Sequence, residues 1–281
     1  MRLARIGEPG REIPCLLDAD GTARDVREVT VDFDGAFLAS GGIEALRALE
    51  PSSLPVVASG QRIGAPVARP WNVWCIGLNY IDHAAESKMQ VPTEPIVFSK
   101  SSRCVVGPYD DVVQPRGATK MDYEVELAVV ISRECRYLQT DDEARVAIAG
   151  YAIANDVSER AFQMASGGQW TKGKTAETFN PLGPWLVTPD DPAVQGDLEL
   201  TLDVNGERRQ TGRLSDMIFD VPTIIRHLSQ YAVLEPGDVI DTGTPPGVAM
   251  GMANPGWIGA GDQLRLAITG LGEQRTRIIP A

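Results

Sequence analysis

Two glutamates, Glu124 and Glu126, stand two residues apart in the run YEVELAVVIS at 123–132. In an extended chain residues i and i+2 point to one face, so these carboxylates project side by side. The same face continues as Ala128 and Val130 and is apolar beyond the acids. Adjacent carboxylates entering an apolar face repel each other and lose solvation. A divalent cation would resolve both problems, and oxygen donors suit a hard metal. A solvated pair of acids at a strand end is the other reading, and the strand alone leaves both open.

Other chemistry-bearing residues lie on either side. His83 and Glu86, if helical, are i and i+3 and share a face. A carboxylate there can orient and polarise the imidazole as a general base. The plainer alternative is a surface pair stabilising the helix by roughly a few tenths of a kcal/mol. The only other histidine, His227, sits beside Arg226 on an expected helix at 222–230 and reads as structural or exposed. Asp156 ends a β-like run at 151–155, a position where strands deliver ligand-binding residues to loops. Gly168, four residues, Gly173, Lys174 and Thr175 satisfy the phosphate-loop pattern. That pattern needs a strand before it and a helix after it. Here the preceding residues are polar or helix-like, and Pro181, Gly183 and Pro184 would stop a helix, so a nucleotide site is not expected.

These residues need a frame. Residues 2–6 and 13–17 read as strands paired across the Gly-Glu-Pro-Gly turn. A helix is expected over 42–50, then a Pro/Gly/Ala-rich connector over 55–70, with a domain boundary near 68 separating 1–68 from 69–281. Beyond it, strands are expected at 72–76, 96–98, 104–106, 112–113 and 123–132. A helix over 82–87, a second over 142–149 and a third over 158–165 surround the strand at 151–155. The run 197–204 alternates into Asn205-Gly206, a strong hairpin turn. Residues 238–241 run as a strand into the rigid loop TGTPPGV, and strands follow at 263–269 and 273–279.

With 281 residues and a net charge of −12, the chain has no basic run to meet a nucleic-acid backbone. No apolar run approaches the ~18 to 20 residues that cross a bilayer, and Glu8 and Pro9 interrupt any signal-peptide core. No membrane association and a cytoplasmic location are expected. Cys15, Cys75, Cys104 and Cys135 are scattered, without zinc-type spacing, and read as reduced thiols.

Five motifs occur in order: GLNYIDHAAE, DYEVELAVVI, NDVSER, KGKTAETFNPLGPW and DTGTPPGV. Together, across roughly residues 70 to 270, they resemble the fumarylacetoacetate hydrolase family. The resemblance implies an α+β, mostly β fold: a mixed β-roll catalytic domain with a small N-terminal β-rich domain, usually dimeric. It places a Mg2+ or Mn2+ ion on Glu124, Glu126 and Asp156. It makes His83 and Glu86, on a segment that can close as a lid, a catalytic pair with Lys174. Gln163 and Thr244 become substrate contacts.

The implied reaction is hydrolytic C–C cleavage of a 2,4-dioxo acid to pyruvate and a second acid. The substrate chelates the metal by its carboxylate and 2-oxo oxygen. His83, oriented by Glu86, draws a proton from the water attacking the 4-carbonyl, and Lys174 faces the pyruvate enolate. The GGQWTKGKTAETF segment resembles members acting on 2,4-dioxo-3-deoxy sugar acids, such as the rhamnonate or fuconate derivative. Oxaloacetate decarboxylase, 2-oxo dienoate hydratase or isomerase, and ureidoglycolate lyase are the alternatives. Glu177, where many relatives have Asp, and Asn180 before Pro181 depart from the pattern and bear on substrate preference. A member turned binding protein would be expected to lack a metal acid or the histidine, and neither is missing.

Overall fold

The run carrying the two glutamates lies in the middle of the main sheet of the computed structural model, which describes residues 1–86, 90–165 and 167–281. The strands that build the site are β1 (Arg2–Ile6), β2 (Val73–Gly77), β3 (Ile96–Lys100), β4 (Val125–Ile131), β5 (Ile148–Asn155), β6 (Asn180–Val187) and β7 (Val239–Asp241). Across the sheet they follow the order β1-β6-β5-β4-β7-β2-β3. β7 and β2 pair in parallel and the other neighbours are antiparallel, so the sheet is mixed.

Every residue of β4 is buried, and its alternation divides the core. Val125, Leu127, Val129 and Ile131 pack against Leu200, Leu202, Leu264 and Leu266 of a second sheet. Ala128 and Val130 face the opposite way, against Val73, Cys75, Ala152, Ala154 and the N-terminal Phe33 and Phe37. Each large aliphatic side chain so buried stabilises the fold by roughly 1.5–3 kcal/mol. The glutamates therefore extend the face that Ala128 and Val130 define, as the alternation in sequence indicates. The strand ladder itself starts one residue after Glu124, at Val125.

The N-terminal hairpin pairs as expected, from Arg2 opposite Leu17 to Ile6 opposite Ile13. The other edge of β1 bonds to β6, so strands on both sides of residue 68 share one sheet. The hairpin after Glu199–Val204 closes through Asn205 and Gly206 at φ 52° and 82°, the left-handed pair of a type I′ turn.

Three expectations are corrected. The helix expected over 142–149 spans Asp141–Val146, capped by Thr140 and Glu143. Ile148 and Ala149 already belong to β5, where pairing with β4 overrides helical spacing. Of the helix expected over 158–165, Ser158 and Glu159 instead pair with Asp122 and Met121, and the helix starts at Arg160. β6 has no counterpart in the sequence reading, because prolines argue against an interior strand. The chain accommodates Pro184 at an irregularity: Tyr151 and Ile153 of β5 face Val187 and Gly183, so this proline falls in a bulge. Ser87 of the expected helix over 82–87, and the rest of the lid segment at 88–89, lie outside the described residues. Among the described residues no helix is long and apolar enough to cross a membrane, and all four cysteines are buried and free.

Candidate active site

The β4–β5 ladder assembles the three acids. Glu126 pairs with Ala154 and Val125 with Asn155, which brings Glu124 level with Asp156. The Asp156 amide donates to the Glu124 carbonyl at 3.0 Å, extending the pairing past the ends of both strands. Glu124, Glu126 and Asp156 are buried, and each offers an oxygen within 4.8 Å of the other two.

Around them runs a chain of buried ion pairs. Arg160 donates to Asp122 at 2.8 Å and to Glu124 at 2.6 Å. Lys174 bridges Glu124 and Asp156 at 2.6 and 2.7 Å. Lys100 bonds the other oxygen of Asp156 and the Phe179 carbonyl. Three cations thus balance Asp122, Glu124 and Asp156. Burial alone would raise Glu124, but Lys174 and Arg160 outweigh it and bring its pKa down to about 2. Lys174 itself is raised: its burial is outweighed by Asp156 and Glu124.

Glu126 is left over. One of its oxygens accepts the Gly243 amide at 2.7 Å, and among the described residues no cation pairs with it. Burial, then Asp156 and Glu124, push its pKa well above the usual carboxylate range. Only a glycine fits at 243: φ is +97°, and a Cβ would stand 2.7 Å from that of Asn79. An all-oxygen donor set with one buried carboxyl left without a cation fits a hard divalent cation, which would favour its ionised form. Glu124, Glu126 and Asp156 would hold it.

The imidazole lies on the same cavity, which is lined by His83, Glu124, Glu126, Arg160, Lys174 and Thr244 among others. His83, on the helix Ile81–Glu86, is 2.9 Å from Glu86 through Nδ1. Glu86 in turn accepts the Gly247 amide with both oxygens, at 3.1 and 3.0 Å. The expected His83–Glu86 pair is therefore a buried, anchored one rather than a solvated helix contact. Gln163 lines the cavity with its Oε1 held by Arg160 at 3.0 Å, which leaves Nε2 to offer. The Thr244 hydroxyl donates to the Val125 carbonyl and accepts from Gln210, so it is bound into the frame between β4 and the TGTPPGV loop.

The phosphate-loop pattern has a different cause here. Gly173 and Lys174 sit on a four-residue helix, Thr171–Lys174, with turns rather than a strand before it. A Cβ on Gly173 would lie 2.5 Å from Gln163 Cβ, so the glycine lets this helix pack against Arg160–Ala165. That packing seats Lys174 between the acids. His227 is half-buried, its ring 5.0 Å from that of Tyr231 and remote from the cavity lining.

Lys100, Arg160 and Asp122 escaped the sequence reading. Lys100 carried one weak signal, a charge on the strand IVFSK two residues after Phe98, hence on one face with it. Arg160 and Asp122 carried none beyond their places inside motifs.

Residues 72–279 match the family model for the fumarylacetoacetate hydrolase C-terminal region. The chain belongs to the fumarylacetoacetate hydrolase family. A Burkholderia multivorans protein described as "Putative hydrolase" is 50% identical over 277 residues, covering 98% of this chain and 97% of its own. The 2-hydroxyhepta-2,4-diene-1,7-dioate isomerase of Mycobacterium marinum superposes with TM-score 0.74 at 34% identity, covering 100% of this chain and 98% of its own. The maleylpyruvate hydrolase of Sphingobium sp. SYK-6 superposes with TM-score 0.80 at 27% identity, with full coverage of both chains. Hydrolases and isomerases thus share this architecture.

Proposed function

We propose that the protein is a divalent-metal-dependent hydrolase that cleaves the C3–C4 bond of a 2,4-dioxo acid to pyruvate and a second acid. The observation that carries this reading is the cation-free buried carboxyl of Glu126 in a cavity that also holds an anchored His83–Glu86 pair. Mg2+ or Mn2+, held by Glu124, Glu126 and Asp156, supplies Lewis-acid polarisation of a 2-oxo acid.

The chain's own residues do the rest. Glu86 accepts from His83 Nδ1–H, which leaves the lone pair of neutral imidazole on Nε2. Nε2 takes a proton from water as the water oxygen adds to C4. The C3–C4 electron pair then becomes the pyruvate enolate, whose charge the Lys174 ammonium meets. The proton held at His83 passes to C3. Gln163 Nε2 and the TGTPPGV loop position the acid. Isomerisation of a 2-hydroxy dienoate, which the Mycobacterium marinum neighbour is named for, and oxaloacetate decarboxylation are the alternatives that could use the same acids. Neither needs an attacking water, which is what the His83–Glu86 pair supports. We take the working assembly to be a homodimer, which sedimentation equilibrium reads directly.

The test is pyruvate release, coupled to lactate dehydrogenase, from a panel of 2,4-dioxo acids and oxaloacetate with magnesium or with chelator. Metal-dependent release from dioxo acids is expected. Release from oxaloacetate alone would replace this reading with decarboxylation.

A further inference from the structure

We propose that the acyl group beyond C4 is apolar, and that Trp170 is the residue that selects it. This rests on the dioxo-acid reading above, and it departs from the polyhydroxylated tail that the motif resemblance implies.

The remaining wall of the cavity is made of Ile76, Leu78, Phe98, Met164, Trp170 and Met250, with Gly77 between the first two. Phe98 and Trp170 meet edge to face, with centroids 5.4 Å apart at 66°. Both are fixed. Phe98 lies on β3 two residues from Lys100, on the face that meets the acids. Trp170 begins the short helix that ends in Lys174. That helix is tied to the β3 end of the sheet twice, by Thr171 Oγ1 to the Ser99 carbonyl at 2.9 Å and by the Ser101 amide to Thr175 Oγ1 at 2.6 Å. The indole lies against Gly77, where a Cβ would stand 2.6 Å from its Cζ3. Lys174 Nζ is 5.2 Å from the Phe98 centroid, so the aromatic wall starts where the charged end of the cavity stops.

The polar lining offers a tail few partners. Glu124, Arg160 and Lys174 are engaged with one another, and the Thr244 hydroxyl bonds Val125 and Gln210. With Glu126 reserved for the metal, Gln163 Nε2 and His83 Nε2 are the donors or acceptors left among the described lining side chains, and the reaction uses the histidine. A tail with several hydroxyls would lose water without replacing its hydrogen bonds, at a cost of roughly 1–3 kcal/mol for each group left unpaired. An alkyl or aryl tail meets sulfur and aromatic carbon instead, the surfaces that accept it best.

The experiment is calorimetric titration of the magnesium-loaded protein with 2-oxooctanoate and with 7,8-dihydroxy-2-oxooctanoate, whose hydroxyls lie too far from C2 to close a five- or six-membered hemiketal. Both carry the 2-oxo acid head, have equal chain length and lack the 4-carbonyl that cleavage requires. Wild type is expected to bind 2-oxooctanoate at least ~10-fold more tightly. Trp170→Ala should reduce that ratio about tenfold and Trp170→Phe should restore part of it. Met164→Gln, at a half-exposed position with little risk to folding, should lower the ratio about threefold. Equal or reversed preference in wild type, or an unchanged ratio in both Trp170→Ala and Met164→Gln, overturns the inference. Binding of neither acid overturns it as well. Matched dioxo acids separate the two readings. Preference without cleavage sinks the hydrolase and spares the wall, whereas cleavage with preference for the hydroxylated tail sinks the wall alone.

Discussion

Two clusters of buried charge sit in this protein, and they are finished differently. Near the N-terminus, Arg5 forks onto Asp32 at 2.5 and 2.9 Å and reaches Glu12 at 3.0 Å. Arg62 forks onto Asp110 at 2.7 and 2.5 Å and meets Glu12 at 3.1 Å. Each of these carboxylates faces a guanidinium, and Asp32 and Asp110 keep 18% and 23% of their side-chain surface in water. Around β4, three cations balance three carboxylates, and further buried acids, Asp241 and Glu126 among them, have no cation among the described residues. Asp241 meets the Cys75 thiol away from the cavity. Glu126 lines the cavity, is 2% exposed and takes one backbone amide as its hydrogen-bond donor. A satisfied cluster is architecture. A buried acid left without a cation on the wall of a cavity marks a place for something the chain does not supply.

The largest effect that would break this contrast belongs to Glu126. Glu126→Gln should lower metal-dependent pyruvate release by ~10³-fold or more while the fold persists. Its pH behaviour follows from the raised pKa. Between 4.5 and that raised value the folded state holds a proton that the unfolded state has lost, so stability of metal-free wild type falls as pH rises. The Gln variant should show a shallower slope in chelator, as melting curves across pH would show, keeping the part owed to Asp241, whose pKa burial raises to about 7. A slope unchanged by the substitution would remove Glu126 as its origin.

Lys174→Met should come next. It leaves Glu124 and Asp156 without their shared cation, and removing one partner of a buried pair costs roughly 3–5 kcal/mol. Magnesium should restore part of that loss in the variant, and denaturant titrations with and without the ion would read it. No recovery would argue that the lysine holds the acids for structural reasons alone. Glu86→Gln is expected to reduce kcat by roughly 10- to 100-fold, through a less well held His83, with a smaller change in KM. Arg62→Ala, in the satisfied cluster, should cost about 1–2 kcal/mol of stability and leave kcat alone. A change in kcat there would blur the line between the two clusters.

The sequence carried the site further than it carried its support. Period-2 alternation was enough to put Glu124 and Glu126 on one face, because that periodicity is a property of any strand. Asp156 and Lys174 could be named but not joined, since the β4–β5 register and the packing of Gly173 on Gln163 are long-range facts. Lys100 and Arg160 were invisible for a related reason: a buried cation looks like a surface one until its partners are in place. Local patterns also misjudged the helix at 142–149, where strand pairing claimed Ile148 and Ala149, and passed over β6, where a bulge takes up the proline. The phosphate-loop match fails on the same ground, because its glycine serves helix packing and its lysine serves carboxylates.

If a divalent cation binds here, Glu126 is the carboxyl left to receive it. Calorimetric titration of chelator-treated wild type and Glu126→Gln with manganese tests this most directly. The account predicts one site per chain in wild type and affinity lower by at least ~100-fold in the variant. Equal affinity in the two proteins would contradict it.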